Sequence, residues 1–335
     1  MLRAGLDVGG ANIKAARSDG RAVSLGFALW KSPDRLPGAI EAALSAVLPF
    51  ERLAVTLTGE LCDCYETRDE GVRHVLESVA AAAGRVSPGV AVDVWRLDGR
   101  LVALSDALPP AEGVAAANWL ALATWAASRV PGSSGFAIDV GSTTTDLVAL
   151  GGGAAHPVGR TDTERLASGE LVYSGVERTP LCALLREVRH RGRRCRIAAE
   201  LFATTLDVYL VLGEIAEDPE HYETADGREA TVPRARARLA RTVCADPAEF
   251  TPEDARELAR QAASEQMALL RGALSECTGR RQPPPEVAVV SGSGEFLARR
   301  LAEAAGISRI VAVSDLEGSG VSRSACAYAL TQIKV

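Results

Sequence analysis

The stretch Gly5-Leu6-Asp7-Val8-Gly9-Gly10-Ala11-Asn12 returns far along the chain as Ala137-Ile138-Asp139-Val140-Gly141-Ser142-Thr143-Thr144. Each copy is an apolar strand that reaches an Asp, passes one apolar residue and enters a Gly-containing small or polar turn. An internal echo of this kind predicts two related halves. After the first copy, Ile13 to Arg17 reads as a short strand, Asp19-Gly20 as a hairpin turn and Ala22 to Trp30 as a third strand. After the second, Asp146 to Leu150 reads as a strand, Gly151-Gly152-Gly153 as a turn and Ala154 to Gly159 as a return. Each half therefore opens with a three-strand meander.

Further out, Leu53 to Thr58, Val90 to Trp95, Val287 to Ser291 and Ile310 to Val313 are short β-rich runs between helical segments, which is α/β architecture. Thr251-Pro252-Glu253-Asp254 has the form of a helix start, and the helix should run through Leu258 and Leu269 to Cys277 and end at Gly279. The alanine- and leucine-rich run from Val114 to Ala127 is too short to span a membrane and reads as a buried helix.

Composition bounds what the chain does. It has 335 residues, 47% hydrophobic and 24% charged, which is enough for two domains and excludes disorder and a minimal disulfide scaffold. A net charge of −6 repels polyanions and argues against nucleic-acid or acidic-membrane binding. No signal-peptide pattern follows Met1, and seven cysteines without paired spacing suit reduced thiols, so a cytoplasmic protein is expected. Cys62-Asp63-Cys64 reads as two thiols near a loop. The basic run from Arg186 to Arg196 reads as a solvated helix end or loop, and Asp207, in an apolar segment with Tyr209, needs a partner or a function.

A Gly-rich turn after a strand can point several backbone N–H groups into one concavity, and Gly lets the main chain approach an anion. The preceding Asp can then hold Mg²⁺ to offset phosphate charge, while Lys14, Ser142, Thr143 and Thr144 supply further donors. Alone, an Asp-x-Gly turn is commonly a solvated strand end. Two such turns facing each other could grip one polyphosphate from both sides. A third turn, Ser291-Gly292-Ser293-Gly294-Glu295, again follows an apolar strand and precedes a helix.

This ordered set resembles the acetate and sugar kinase, heat-shock cognate and actin superfamily. The resemblance implies two ribonuclease H-like (actin-like ATPase) domains around a central cleft, one of residues 1–130 plus 321–335 and the other of residues 131–320. Ala115 to Trp119 and Gly320 to Ala325 would then lie in connecting helices. Thr56 to Asp63, Ile138 to Asp146, Leu171 to Pro180, Glu200 to Tyr209 and Val290 to Glu295 look more specifically like the hydantoinase and oxoprolinase branch. Within it they resemble proteins linked to tetrahydromethanopterin-dependent one-carbon transfer. Archaeal members of that group join an aminomethylfuran diphosphate to γ-glutamyltyramine in methanofuran biosynthesis, and bacterial members are expected to make methylofuran.

The resemblance implies a kinase-like cleft that binds the substrate's own diphosphate, with Mg²⁺ as the cofactor. Asp7, Asp139 and Asp146 are then the expected metal carboxylates. Gly9, Gly10, Asn12, Lys14, Gly141, Ser142, Thr143 and Thr144, with Gly292, Ser293 and Gly294, are the expected phosphate cradle. Glu60 and Asp63, just past a strand end, are candidates for the catalytic base beside Asp139, with a helix N-terminal carboxylate as the plainer reading of Glu60. Arg178 and Tyr173 are candidates for binding the phenolic substrate, an exposed loop arginine being the plainer reading of Arg178. The partners expected are these two small molecules, with homo-oligomerisation left open. An ATP-dependent kinase or hydantoinase/oxoprolinase-like ATPase, and a nucleotide-dependent protein switch, are the competing readings, because a fold alone does not assign an activity.

Overall fold

Two sheets of the same winding carry the molecule, seen here in a computed structural model that describes residues 2–107, 113–280 and 283–333. The first contains β1 (Arg3–Gly9), β2 (Asn12–Arg17), β3 (Ala22–Gly26), β4 (Arg52–Thr58), β5 (Ala91–Trp95) and β6 (Leu101–Ala103). Their order is β3-β2-β1-β4-β5-β6. β2 runs antiparallel to β1 and β3, whereas β1, β4 and β5 are parallel. The second contains β7 (Gly135–Val140), β8 (Thr145–Gly151), β9 (Ala154–Ala155) and β10 (Leu171–Val172). After the separate hairpin β11 (Glu187–His190) and β12 (Arg193–Arg196), it is completed by β13 (Val287–Ser291) and β14 (Arg309–Ala312). The order β10-β8-β7-β13-β14, with β7, β13 and β14 parallel and β8 antiparallel, repeats the first winding. The echoed strands imply two related halves, and the α/β, ribonuclease H-like pairing is the one the family resemblance implies.

The central strands β1 and β7 are buried along almost their whole length, as expected of strands covered on both faces. Burial also explains why each ends at an Asp and a Gly turn. The carboxylate and the turn mark the point where the chain leaves the core.

Three details differ from the sequence reading. β3 stops at Gly26, because the amides of Phe27 and Leu29 bond the carbonyls of Ala11 and Gly10 and fold the chain back over the first turn. In the second meander β9 is only two residues long, and β10 takes the outer place beside β8. The basic run is the hairpin β11–β12 rather than a helix end, turned by Arg191 and Gly192 at φ 49° and 77°. The helix Pro252–Gly279 forms as expected, with a capping box between Thr251 and Asp254. The run Val114 to Ala127 supplies the buried helix Asn118–Arg129.

Each sheet has its own apolar cluster, and a further cluster lies between them. It joins Trp95, Trp119 and Trp125 to Ala137, Val148 and Val287, and is closed by the helix Ala325–Gln332. That helix lies flush on β1, since a Cβ on Gly5 would come within 1.8 Å of the Ala327 carbonyl oxygen. Asp207 has its partner: it accepts from Arg238 Nε at 2.7 Å, both side chains being buried. Among the described residues no helix is long and apolar enough to cross a membrane.

Candidate active site at the facing turns

The ends of β1 and β7 bring the two echoed turns together. Asn12 Nδ2 donates to Ser142 Oγ at 3.1 Å. The amides of Gly10 and Ala11 on one side, and of Ser142, Thr143 and Thr144 on the other, have no hydrogen-bond partner among the described residues. Free amides on two opposed turns form the concavity that suits an anion. Its second wall is held from behind. Val176 N bonds the Gly141 carbonyl, and the amides of Glu177 and Arg178 both bond the Ser142 carbonyl. Gln266, fully buried in the helix Pro252–Gly279, donates to Ser174 Oγ and the Gly175 carbonyl and accepts from Tyr209. A Cβ on Gly175 would lie 2.5 Å from the Gly141 carbonyl oxygen, so only glycine allows this close seating.

Lys14, register partner of Asp7, interacts electrostatically with the aspartates of both strands. Burial works against its charge, but Asp7 and Asp139 outweigh that and raise its pKa above the usual lysine range. Burial pushes the Asp139 carboxyl up to about 6, against the pull of Lys14 and a hydrogen bond from Ser291. The Asp7 carboxyl is likewise raised, chiefly by burial, and accepts from Asn118 Nδ2 at 3.5 Å. Cys326, buried against this group, is pushed far above the usual thiol range by burial and then by the two aspartates.

Asp7 Oδ1 is buried without a partner among the described residues. This orphaned oxygen, with the Asp139 carboxylate opposite, is a hard donor pair suited to Mg²⁺, which keeps several waters. Asp146 stands apart from them in its bonding, because its Oδ1 accepts from Arg165 Nη1 at 2.9 Å. Among the described residues no three His, Cys, Asp or Glu side chains converge as a metal cluster.

The third turn behaves differently. Gly292 directs its amide to the Ser322 carbonyl and Gly294 to that of Val140, leaving Ser293 N as the amide of the three without a partner among the described residues. Glu295 accepts from the Ser314 and Ser322 hydroxyls and ties the turn to its neighbouring helices.

Glu60 and Asp63 follow β4, but only Glu60 is buried. At 1% exposure, with Oε2 unpartnered among the described residues, its carboxyl is pushed by burial up to about 7. Asp63 is exposed. Arg178 lies over the Trp30 ring at 4.3 Å, and Lys31 pairs with Glu223 nearby. Tyr173 is 69% exposed. Asn118 and Gln266 carry no local motif in the sequence, and Arg68 and Asp162 lie in Thr-x-x-Glu helix starts, which announce a helix and no chemistry. The one available signal for Asn118 was a polar residue interrupting an apolar helix.

Comparison with known proteins gives the family and the fold. The chain is 28% identical over 332 residues, 98% of its length and 96% of the other's, to the (4-{4-[2-(gamma-L-glutamylamino)ethyl]phenoxymethyl}furan-2-yl)methanamine synthase of Methanocaldococcus jannaschii. A Methanococcus vannielii protein of the same name is 37% identical over 109 residues, 32% of this chain and 49% of that protein. Among solved structures, nucleotide-free acetone carboxylase matches 97% of this chain and 70% of its own with a TM-score of 0.59 at 10% identity, a likeness of fold. The hydantoinase/oxoprolinase family model matches residues 52–335, and the chain belongs to that family.

Proposed function

We propose that the protein is a transferase that condenses an aminomethylfuran diphosphate with a phenolic tyramine or tyrosine derivative, releasing diphosphate, in methanofuran or methylofuran biosynthesis. The observation that carries this reading is the end-to-end likeness to the Methanocaldococcus jannaschii synthase, whose name describes a phenoxymethyl ether of a furan-2-yl methanamine. The opposed turns support it, since they suit a diphosphate as readily as a nucleotide.

In the proposed reaction the phenol oxygen attacks the furan's exocyclic methylene. A new carbon–oxygen bond forms as the bond to diphosphate breaks, and diphosphate leaves with the electron pair. The furan shares the positive charge that develops on the methylene. The free amides of Gly10, Ala11, Ser142, Thr143 and Thr144, with Lys14, meet the growing negative charge on the leaving group and so favour the transition state. Mg²⁺, held by Asp7 and Asp139, would supply further charge neutralisation at the diphosphate. The phenol, with an unperturbed pKa of about 10, gives its proton to a carboxylate of the loop after β4, Glu60 or Asp63. Arg178, held on Trp30, is assigned to the acceptor's carboxylate, with Tyr173 at the rim.

Two ribonuclease H-like domains, residues 1–130 plus 321–335 and residues 131–320, are the proposed units on either side of the cleft. The packing of the helix Ala325–Gln332 on β1 supports the return of the C-terminal segment to the first. A cytoplasmic location is supported by seven free cysteines.

The test is to incubate purified protein with Mg²⁺, the aminomethylfuran diphosphate and either glutamyltyramine or tyrosine, without ATP. Diphosphate and the ether are the products expected. Absence of the ether, with ATP consumed when it is added, sinks the reading in favour of a kinase.

A further inference from the structure

Arg68 and Asp162, beside the diphosphate cradle, have no role in the chemistry above, and Glu60, one of its two candidate bases, lies with them. Glu60 comes from the loop after β4, and Arg68 opens the helix Arg68–Val86. Gly71 of that helix sits so close to Glu60 that a Cβ there would lie 2.2 Å from the Glu60 carbonyl oxygen, which fixes the two segments together. Asp162 arrives from the opposite half, at the start of the helix Asp162–Ser168. Its approach is set by Arg160, whose Nη1 donates to the Leu97 carbonyl at 2.7 Å. Asp162, Arg68 and Asp7 all act electrostatically on Glu60, so these side chains share one compartment.

Within it the polar atoms are left over. Glu60 Oε2 and Arg68 Nε are buried without partners among the described residues, and Thr56 Oγ1, on the residue in register with Asp7, is in the same condition. Buried polar groups in folded proteins are ordinarily bonded, so unpartnered ones beside a substrate site point to a ligand group. The charges say which kind. When both are ionised, as an adjacent cation favours against the burial that raises their pKa values, Glu60 and Asp162 bring two negative charges against the one positive charge of Arg68, while the neighbouring Arg165 is already bound to Asp146. One negative charge is unanswered, and a compact cation with several N–H donors would answer it.

We propose that Glu60 and Asp162 form a subsite for the primary ammonium of the furan donor's aminomethyl group. This rests on the condensation reading above, in which the donor carries an ammonium at one end and a diphosphate at the other. The compartment adjoins Asp7 and hence the cradle, so a single furan places its two charged ends in the two sites. Specificity then comes from a substrate charge recognised away from the reacting methylene, and the phenol's proton goes to Asp63.

The experiment compares two donors with the purified protein, Mg²⁺ and the phenolic acceptor: the aminomethylfuran diphosphate and its uncharged hydroxymethyl analogue. Wild type should prefer the ammonium donor in kcat/KM by roughly tenfold or more, expressed mainly in KM. In Asp162→Asn, and separately in the isosteric Glu60→Gln, the preference should fall to within about twofold to threefold, thermal unfolding showing that each variant is folded. Equal use of both donors by wild type, or a folded Asp162→Asn that keeps the full preference, overturns the subsite while the condensation stands. No ether from either donor overturns the condensation reading and the subsite with it.

Discussion

Asn12 and Ser142, 130 residues apart in the chain, are joined by a 3.1 Å hydrogen bond between the turns that end β1 and β7. The bond sets the spacing of two rows of free amides, and with it the size of anion the proposed site would accept. Asn12→Ala should raise the KM for the diphosphate donor by roughly threefold to tenfold and cost about 1 kcal/mol of stability. Steady-state kinetics and urea denaturation check both, and a double-mutant cycle with Ser142→Ala should show the two losses to be non-additive.

Asp139 is held by Ser291 and raised by burial, yet the proposed chemistry needs it ionised. Asp139→Asn keeps the shape and removes the charge. Turnover should fall by roughly a hundredfold or more with the melting temperature unchanged or higher, since a desolvated carboxylate is removed. A folded variant with wild-type turnover would falsify the assignment of this residue to the site.

Gly292 has φ of +100°, and a Cβ there would stand 2.1 Å from the Val140 carbonyl oxygen. Gly292→Ala should destabilise by roughly 3 kcal/mol or more, because backbone must move. At Gly10 the obstacle is only Cys62 Sγ, at 2.7 Å, which can turn aside. Gly10→Ala should therefore cost about 1 kcal/mol or less, and its larger effect should be on donor KM. Chemical denaturation of the pair distinguishes the two cases.

Glu60 supplies a pH signature. Its folded pKa of about 7 lies above the ordinary glutamate value of 4.5, so the native state holds the proton more tightly than the unfolded chain. Stability from this group is fully present below pH 4.5 and is lost as pH rises through about 7, a loss on the order of a few kcal/mol. Glu60→Gln should abolish that slope, so the variant gains on wild type between these limits. Denaturation midpoints at a series of pH values test it; parallel curves for the two proteins would refute it.

Asp7, Asp139 and their turns were legible in the sequence because both the strand and the Gly turn are local patterns, and the echo made each interpret the other. The pairing Asn12 to Ser142 follows from the same symmetry. Asn118, Arg68, Asp162 and Gln266 were not legible as site residues, since each reaches the site from a distant element and the Thr-x-x-Glu helix starts that contain Arg68 and Asp162 specify only a helix. The hairpin β11–β12 was hidden for another reason: the arginines of Arg193–Arg196 erase the apolar alternation that announces a strand, and what forms the turn is the left-handed backbone at Arg191 and Gly192. Burial separated Glu60 from Asp63, which the sequence could only place side by side.

The apolar cluster of Trp95, Trp119, Trp125, Ala137, Val148 and Val287 draws on both sheets. Neither half can therefore melt without stripping the other of part of its interior. A cleft whose walls share an interior should unfold as one cooperative unit, with a calorimetric enthalpy equal to the van't Hoff enthalpy, instead of shedding one half first. Any opening that admits the proposed substrate then has to be a tilt about a packed pivot, and the largest side chains at that pivot are tryptophans, in a chain with four of them.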